Sequence, residues 1–150
     1  MSRKRIKVEE AGRHFGDIHQ AMETLDCTPF LNEAVVASYQ AHRDRFTGSL
    51  DPSGSPWPPR KEEGDGHPLL MDTGRLLQAA TGGSGEAIKQ ISNRDFMIGI
   101  AESLPYRRVH DFGYPERNIP QRKYFGPDED TLEGLDVMFA EFVDEAIFGD

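Results

Sequence analysis

The sequence predicts an α+β domain: a small antiparallel sheet made of one hairpin, packed against two longer helices, with a long Pro/Gly loop. Three observations predict it. Apolar residues recur at three and four positions in 28–46 and again in 132–147, the period of a helix with one buried face. "EAIKQIS" (86–92) and "DFMIGIA" (95–101) read as two short strands, with "SNRD" between them as a hairpin turn. Finally, five prolines and four glycines crowd into residues 47–68, a density that no helix or central strand survives.

At 150 residues the chain suits one domain, large enough to bury a core without disulfides or metal. Its 10 prolines and 15 glycines make one residue in six a backbone breaker, which favours long loops over a compact bundle. We divide it into residues 1–27, a charged arm and weak helix, and residues 28–150, a domain with a single core. The single cysteine, Cys27, excludes an intramolecular disulfide and a cysteine-based zinc site, and fits a reducing cytoplasm. The start "MSRKRIKVEE" is basic but has no apolar core of a secretory signal, and no window approaches a membrane-spanning length, so no membrane is expected.

Taken in order, residues 1–12 read as a charged arm and 13–25 as a weak helix with Phe15, Ile18, Met22 and Leu25 on one side. The segment 28–46 is stronger. Thr28 can cap it, Pro29 suits the first turn, and Leu31, Ala34, Val35, Ser38, Tyr39, His42 and Phe46 share a core-facing stripe. In the 47–68 loop the one large apolar residue is Trp57. Residues 69–81 predict a short helix capped by Asp72 or Thr73, and the hairpin follows "GGSG". Residues 105–117 are expected to be irregular, with an aromatic turn at Tyr106–Phe112. Leu132, Leu135, Met138, Phe139, Phe142, Val143 and Ile147 then define an amphipathic helix, with Asp128, Glu129 and Asp130 where its dipole favours negative charge.

Net charge is −9, and all of it lies at one end. Residues 128–150 hold nine acids and no base, leaving 17 acids against 17 bases elsewhere. A duplex-binding module shows the opposite sign on some extended face, and the basic clusters at 3–5, 107–108 and 122–123 are short.

The residues do not assemble a catalytic or metal signature. His14, His19, His42, His67 and His110 lack metal-ligand spacing, and ordinary surface or satisfied polar roles are expected for them. His110 beside Asp111 reads as a hydrogen-bonded core group rather than a proton donor. "GGSG" lacks the strand-to-helix setting of a nucleophile elbow and the Lys-Ser/Thr of a phosphate loop. No catalytic residue, metal or cofactor is therefore expected.

Four stretches in fixed order remain: "RFTGSLDPSGSPWPPR" (45–60), "LLMDTGRLLQA" (69–79), "MIGIAESLPYRRVHDFG" (97–113) and "NIPQRKYFG" (118–126). Over about residues 29–148 this ordered set resembles the phage virion morphogenesis family, the tail completion proteins of Mu-like tailed phages. The resemblance rests on Gly54 to Trp57; on Leu70, Thr73, Gly74 and Leu76; and on Ile98 and Gly99. It continues with Tyr106, His110, Phe112 and Gly113, and then Ile119, Pro120, Arg122, Phe125 and Gly126. A small residue usually follows the tyrosine; Arg107 and Arg108 stand here instead and make the local surface basic.

The resemblance implies a non-enzymatic role: completing the tail or joining it to the head, as a ring of copies, hexameric if it matches the tail tube. The implied partners are the chain itself, tail tube and head–neck proteins, with DNA only as passing cargo. The implied location is the host bacterial cytoplasm during assembly and then the virion tail or neck. Contact residues expected on this reading are Trp57, Arg75, Arg107, Arg108, Arg122 and Phe125. For Trp57 the alternatives are a docking anchor or a loop aromatic folded back onto the core. For Arg75 and Arg122 they are a surface ion pair or a partly buried arginine that orients a loop or meets a neighbour, with a structural role favoured for Arg122. An acidic surface lining a conduit would let DNA slide. The rival readings are a head–tail connector of the neck and a small nucleic-acid-binding regulator using the N-terminal arm with Arg107 and Arg108.

Overall fold

The computed structural model describes residues 8–61 and 66–149. Its spine is α2 (Thr28–Gly48), which starts where Pro29 meets the first turn. The capping oxygen comes from Asp26, which accepts from the Thr28 backbone N–H at 2.9 Å and from its hydroxyl at 2.6 Å. That corrects the expected Thr28 cap: the cap position is Cys27, and Thr28 is already the first residue of the helix. The helix ends as Ser49 turns left-handed at φ 52°. Leu31, Ala34, Val35, His42 and Phe46 are buried as the stripe predicts, Ser38 and Tyr39 only half so, and Arg45 joins the buried set unforeseen.

Before it, α1 (Val8–Thr24) is longer than its weak pattern predicts. Residues 8–12, expected in a charged arm, belong to this helix; residues 1–7 of that arm lie outside the described residues. The hairpin forms as expected, β1 (Ala87–Ile91) pairing antiparallel with β2 (Phe96–Ile100) so that Lys89 faces Ile98. Its turn docks on the α1–α2 junction. The Cys27 N–H donates to the Asn93 carbonyl at 3.1 Å, and the Arg94 guanidinium donates to the carbonyls of Met22 and Glu23.

Two helices differ from expectation. The one predicted over 69–81 shrinks to α3 (Arg75–Ala80), and neither Asp72 nor Thr73 is its cap. Gly74 takes that place at φ 73°, and Thr73, one residue further out, accepts from the Arg75 N–H only at 3.4 Å. Conversely, Tyr106–Phe112, expected as an irregular turn, is a regular helix, α4. The chain escapes from it at Gly113, φ 76°, where an added Cβ would lie 2.8 Å from the Gln121 backbone nitrogen. A short 3-10 turn (Pro115–Arg117) then leads into the extended run before α5 (Glu129–Phe148).

The core lies between α2, α3 and the irregular segments rather than between the two long helices. Phe46 meets Trp57 edge-on with ring centroids 5.6 Å apart and Tyr124 at 5.4 Å, over Leu76, Ala79, Ala80 and Leu104. The 47–68 loop therefore supplies a core residue, and its tip is ordered by Asp51, whose carboxylate accepts from the N–H groups of Ser53 and Ser55. By contrast α5 buries no residue fully. Its inner face rests on α2 through Phe30, 5.0 Å from Phe139 and 6.0 Å from Phe142. Among the described residues no helix is long and apolar enough to cross a membrane.

Packing this unequal separates two substitutions that the sequence pattern would rank together. Phe46→Ala is expected to cost about 3–5 kcal/mol of unfolding free energy in urea titrations. Phe139→Ala, at a position 42% exposed, is expected to cost about 1 kcal/mol or less.

Candidate functional site

The run Ile119–Asp128 crosses the molecule, and almost every polar group near it is used to hold it. Arg45, 4% exposed, is the central donor. One guanidinium nitrogen donates to the carbonyls of Tyr124 at 3.1 Å and Gly126 at 2.5 Å, and the other to the Asp128 carboxylate at 2.5 Å. The other Asp128 oxygen accepts from the Thr131 N–H at 2.7 Å and so caps α5. Burial pushes the Asp128 carboxyl up, but the hydrogen bonds from Thr131 and Arg45 outweigh it and hold the group below the ordinary aspartate value.

One turn back on α2, His42 repeats the arrangement with a neutral ring. Its Nδ1 lies 2.8 Å from the Ala80 carbonyl, and its Nε2 lies 3.3 Å from the Gly126 N–H. A carbonyl needs a donor and an N–H needs an acceptor, so Nδ1 carries the proton and Nε2 does not. Burial lowers the His42 pKa, consistent with that tautomer. Phe125 stacks on the same ring at 4.4 Å. From α4, Asp111 accepts from the Tyr124 N–H at 3.1 Å, and the Tyr124 hydroxyl donates to the Arg107 carbonyl at 3.0 Å.

The six expected contact residues fall into three groups. Trp57, 4% exposed, is in the core with its indole N–H donating to the Lys123 carbonyl at 2.9 Å; this decides for the folded-back alternative and corrects the docking anchor. Arg122 is likewise interior, 8% exposed, donating to the carbonyls of Pro58 at 2.8 Å and Pro59 at 3.0 Å, so it fastens the Pro/Gly loop to the 119–128 run. Burial, with Arg60 nearby, lowers its pKa. Phe125 is half-buried. Arg75 pairs with Glu86 through two nitrogens, joining α3 to the foot of β1, and that pairing lowers the Glu86 pKa. Arg107 donates to the Ala101 carbonyl at 3.1 Å and stands 3.5 Å from Glu102. Only Arg108 is exposed with a guanidinium that pairs with no described residue.

Besides a hollow of about 520 Å³ between Arg45, the Asp51 turn and Asp128, three further surface hollows border this framework. The most apolar, of about 420 Å³, lies between α2, β2 and the start of α5, lined by Met97, Ile98, Phe125, Leu132 and Leu135. A smaller one of about 270 Å³ sits between Gly99, Ile100 and the Arg108–Phe112 side of α4. The third, of about 380 Å³, gathers Leu70, Thr73 and Gly74 opposite Tyr106 and His110. It corrects the reading of His110 as a hydrogen-bonded group: its buried Nδ1 has no partner among the described residues, and burial with Arg122 nearby lowers its pKa. Among the described residues no three His, Cys, Asp or Glu side chains are placed to share a metal ion.

The sequence reading missed Arg45 and the tautomer of His42. A signal for Arg45 existed, since it lies three residues after His42 and beside Phe46, on the same stripe.

Replacing Arg45 by Met is expected to cost about 3 kcal/mol or more in urea titrations, because Asp128 and two carbonyls lose their shared donor. The pH dependence follows from His42 and His110, both with folded-state pKa values below the ordinary 6.5. Below 6.5 the unfolded chain binds protons that the folded chain refuses, so stability present at pH 8 is lost as pH falls through 6.5 and beyond. Urea midpoints measured from pH 8 to pH 5 should decline, and less steeply for His42→Gln.

No curated protein and no solved structure matches the chain. The model of the phage virion morphogenesis family matches residues 6–142, which takes in α1 as well as the segments that carry the four motif stretches. The chain belongs to the phage virion morphogenesis family.

Proposed function

We propose that this chain is a non-enzymatic assembly protein that completes the phage tail or joins it to the head, working as a ring of its own copies. Membership of a virion morphogenesis family carries the reading. The fold supports it in physical terms. Most of the convergent polar groups around 119–128 are taken up by the chain's own backbone carbonyls and N–H groups, as befits a scaffold. Apolar side chains stay on the surface instead, Phe15, Val36, Val137 and Phe148 each more than half exposed.

In this role the chain associates with itself, then with the end of the tail tube and with neck proteins. Assembly takes place in the host cytoplasm and the product remains in the virion. The acidic α5, if it lines the conduit, presents DNA with a repelling wall along which it slides.

Analytical ultracentrifugation with electron microscopy of the purified protein tests the reading. Closed rings, or capping of purified tail tubes by the chain, are the expected result. A chain that stays monomeric at about 1 mM and ignores tube ends overturns it, since even a weak contact of that Kd would be seen. Binding to duplex DNA that weakens steeply with salt would instead favour a nucleic-acid regulator.

A further inference from the structure

Two exposed patches on different helices are complementary in shape and charge. On α5, Val137, Glu141, Asp144 and Phe148 follow one another at four, three and four residues and so form a single stripe of roughly 16 Å. That stripe points away from the half-buried Leu135, Met138 and Phe142 that rest on α2. Val137 is 58% and Phe148 56% exposed, and the two carboxylates between them pair with no described residue. The helix carries no base that could answer them.

On α4, Arg108 and Phe112 are four residues apart and share one face. Phe112 is 66% exposed, and Arg108 is the one expected contact arginine that no described residue engages. They flank the hollow beside Gly99 and Ile100.

We propose that the outward stripe of α5 in one copy docks on the Arg108–Phe112 face of α4 in the next. Arg108 meets Glu141 and Asp144, while Phe112 packs against an apolar end of the stripe. The occupant is a second copy because the charges match: an α5 whose charged residues are all acidic and an exposed arginine without a described partner are both left over from a fold that engages Arg45, Arg75, Arg107 and Arg122 internally. A contact between unlike patches passes from copy to copy and closes by rotation into a ring. The inference rests on the assembly role proposed above and names the surfaces that build it.

Charge reversal tests it in the full chain. R108E alone and E141K/D144K alone are each expected to weaken self-association at least about tenfold by sedimentation, since like charges then face each other across the contact. All these side chains are exposed, so circular dichroism should be unchanged. The chain carrying R108E, E141K and D144K together should recover assembly, as should an equal mixture of the two defective chains. If the unaltered chain assembles and the reversed chains assemble equally well, or the combined chain recovers nothing, this docking is wrong and the assembly role stands. If the unaltered chain associates with itself neither in solution nor on tail-tube ends, both fall.

Discussion

The contact on which the rest depends is the buried Arg45–Asp128 pair. Arg45 comes from the last turn of α2 and Asp128 from the residue just before α5, 83 positions later. The pair does three things at once. It neutralises a guanidinium taken out of water, lets the same guanidinium satisfy the Tyr124 and Gly126 carbonyls, and fixes the aspartate that caps α5. A buried cation is costly unless its donors are used, and here the extended 119–128 run supplies acceptors for both terminal nitrogens, while the buried Nε has no partner among the described residues. His42 adds a second, uncharged tie to Gly126 one turn away. The direction in which α5 leaves the body is thus set by polar groups more than by apolar burial.

That division of labour explains why the last helix can be fixed at its start and yet remain lightly packed. Its first turn is held by charge-assisted bonds, whereas its apolar side leans on Phe30 and on α1. The aromatic core sits elsewhere, around Phe46, Trp57 and Tyr124, and draws two of its three large rings from irregular segments. Arg122 and the Trp57 indole N–H close the polar remainder of those segments. What stays on the outside is a helix with acids and large apolar groups on its far side, the kind of surface a self-assembling component keeps for its neighbours.

Much of the fold was legible because it depends on local periodicity. The stripe of α2, the hairpin with its turn and the start of α5 at an acidic run all follow from spacing and capping chemistry. The irregular parts were not legible, for a physical reason. Tyr106–Phe112 is only seven residues long, too short for an apolar period to register, and its Asp111 and the Arg107 carbonyl bind Tyr124, a partner distant in sequence. Likewise Trp57 could have gone either way until Lys123 offered its indole N–H an acceptor beside Phe46.

The sequence by itself determined the class of the fold, its two long helices α2 and α5 and its hairpin, its concentration of negative charge in the last helix and the ordered motifs that mark its family. Only the tertiary structure decided which cations are spent. Arg45, Arg75, Arg107 and Arg122 are all bound within the chain, while Arg108 is left over. The reason is that a charge finds its partner through space: the carbonyls and carboxylates that claim these arginines lie from five to 83 residues away, where no local pattern can register them.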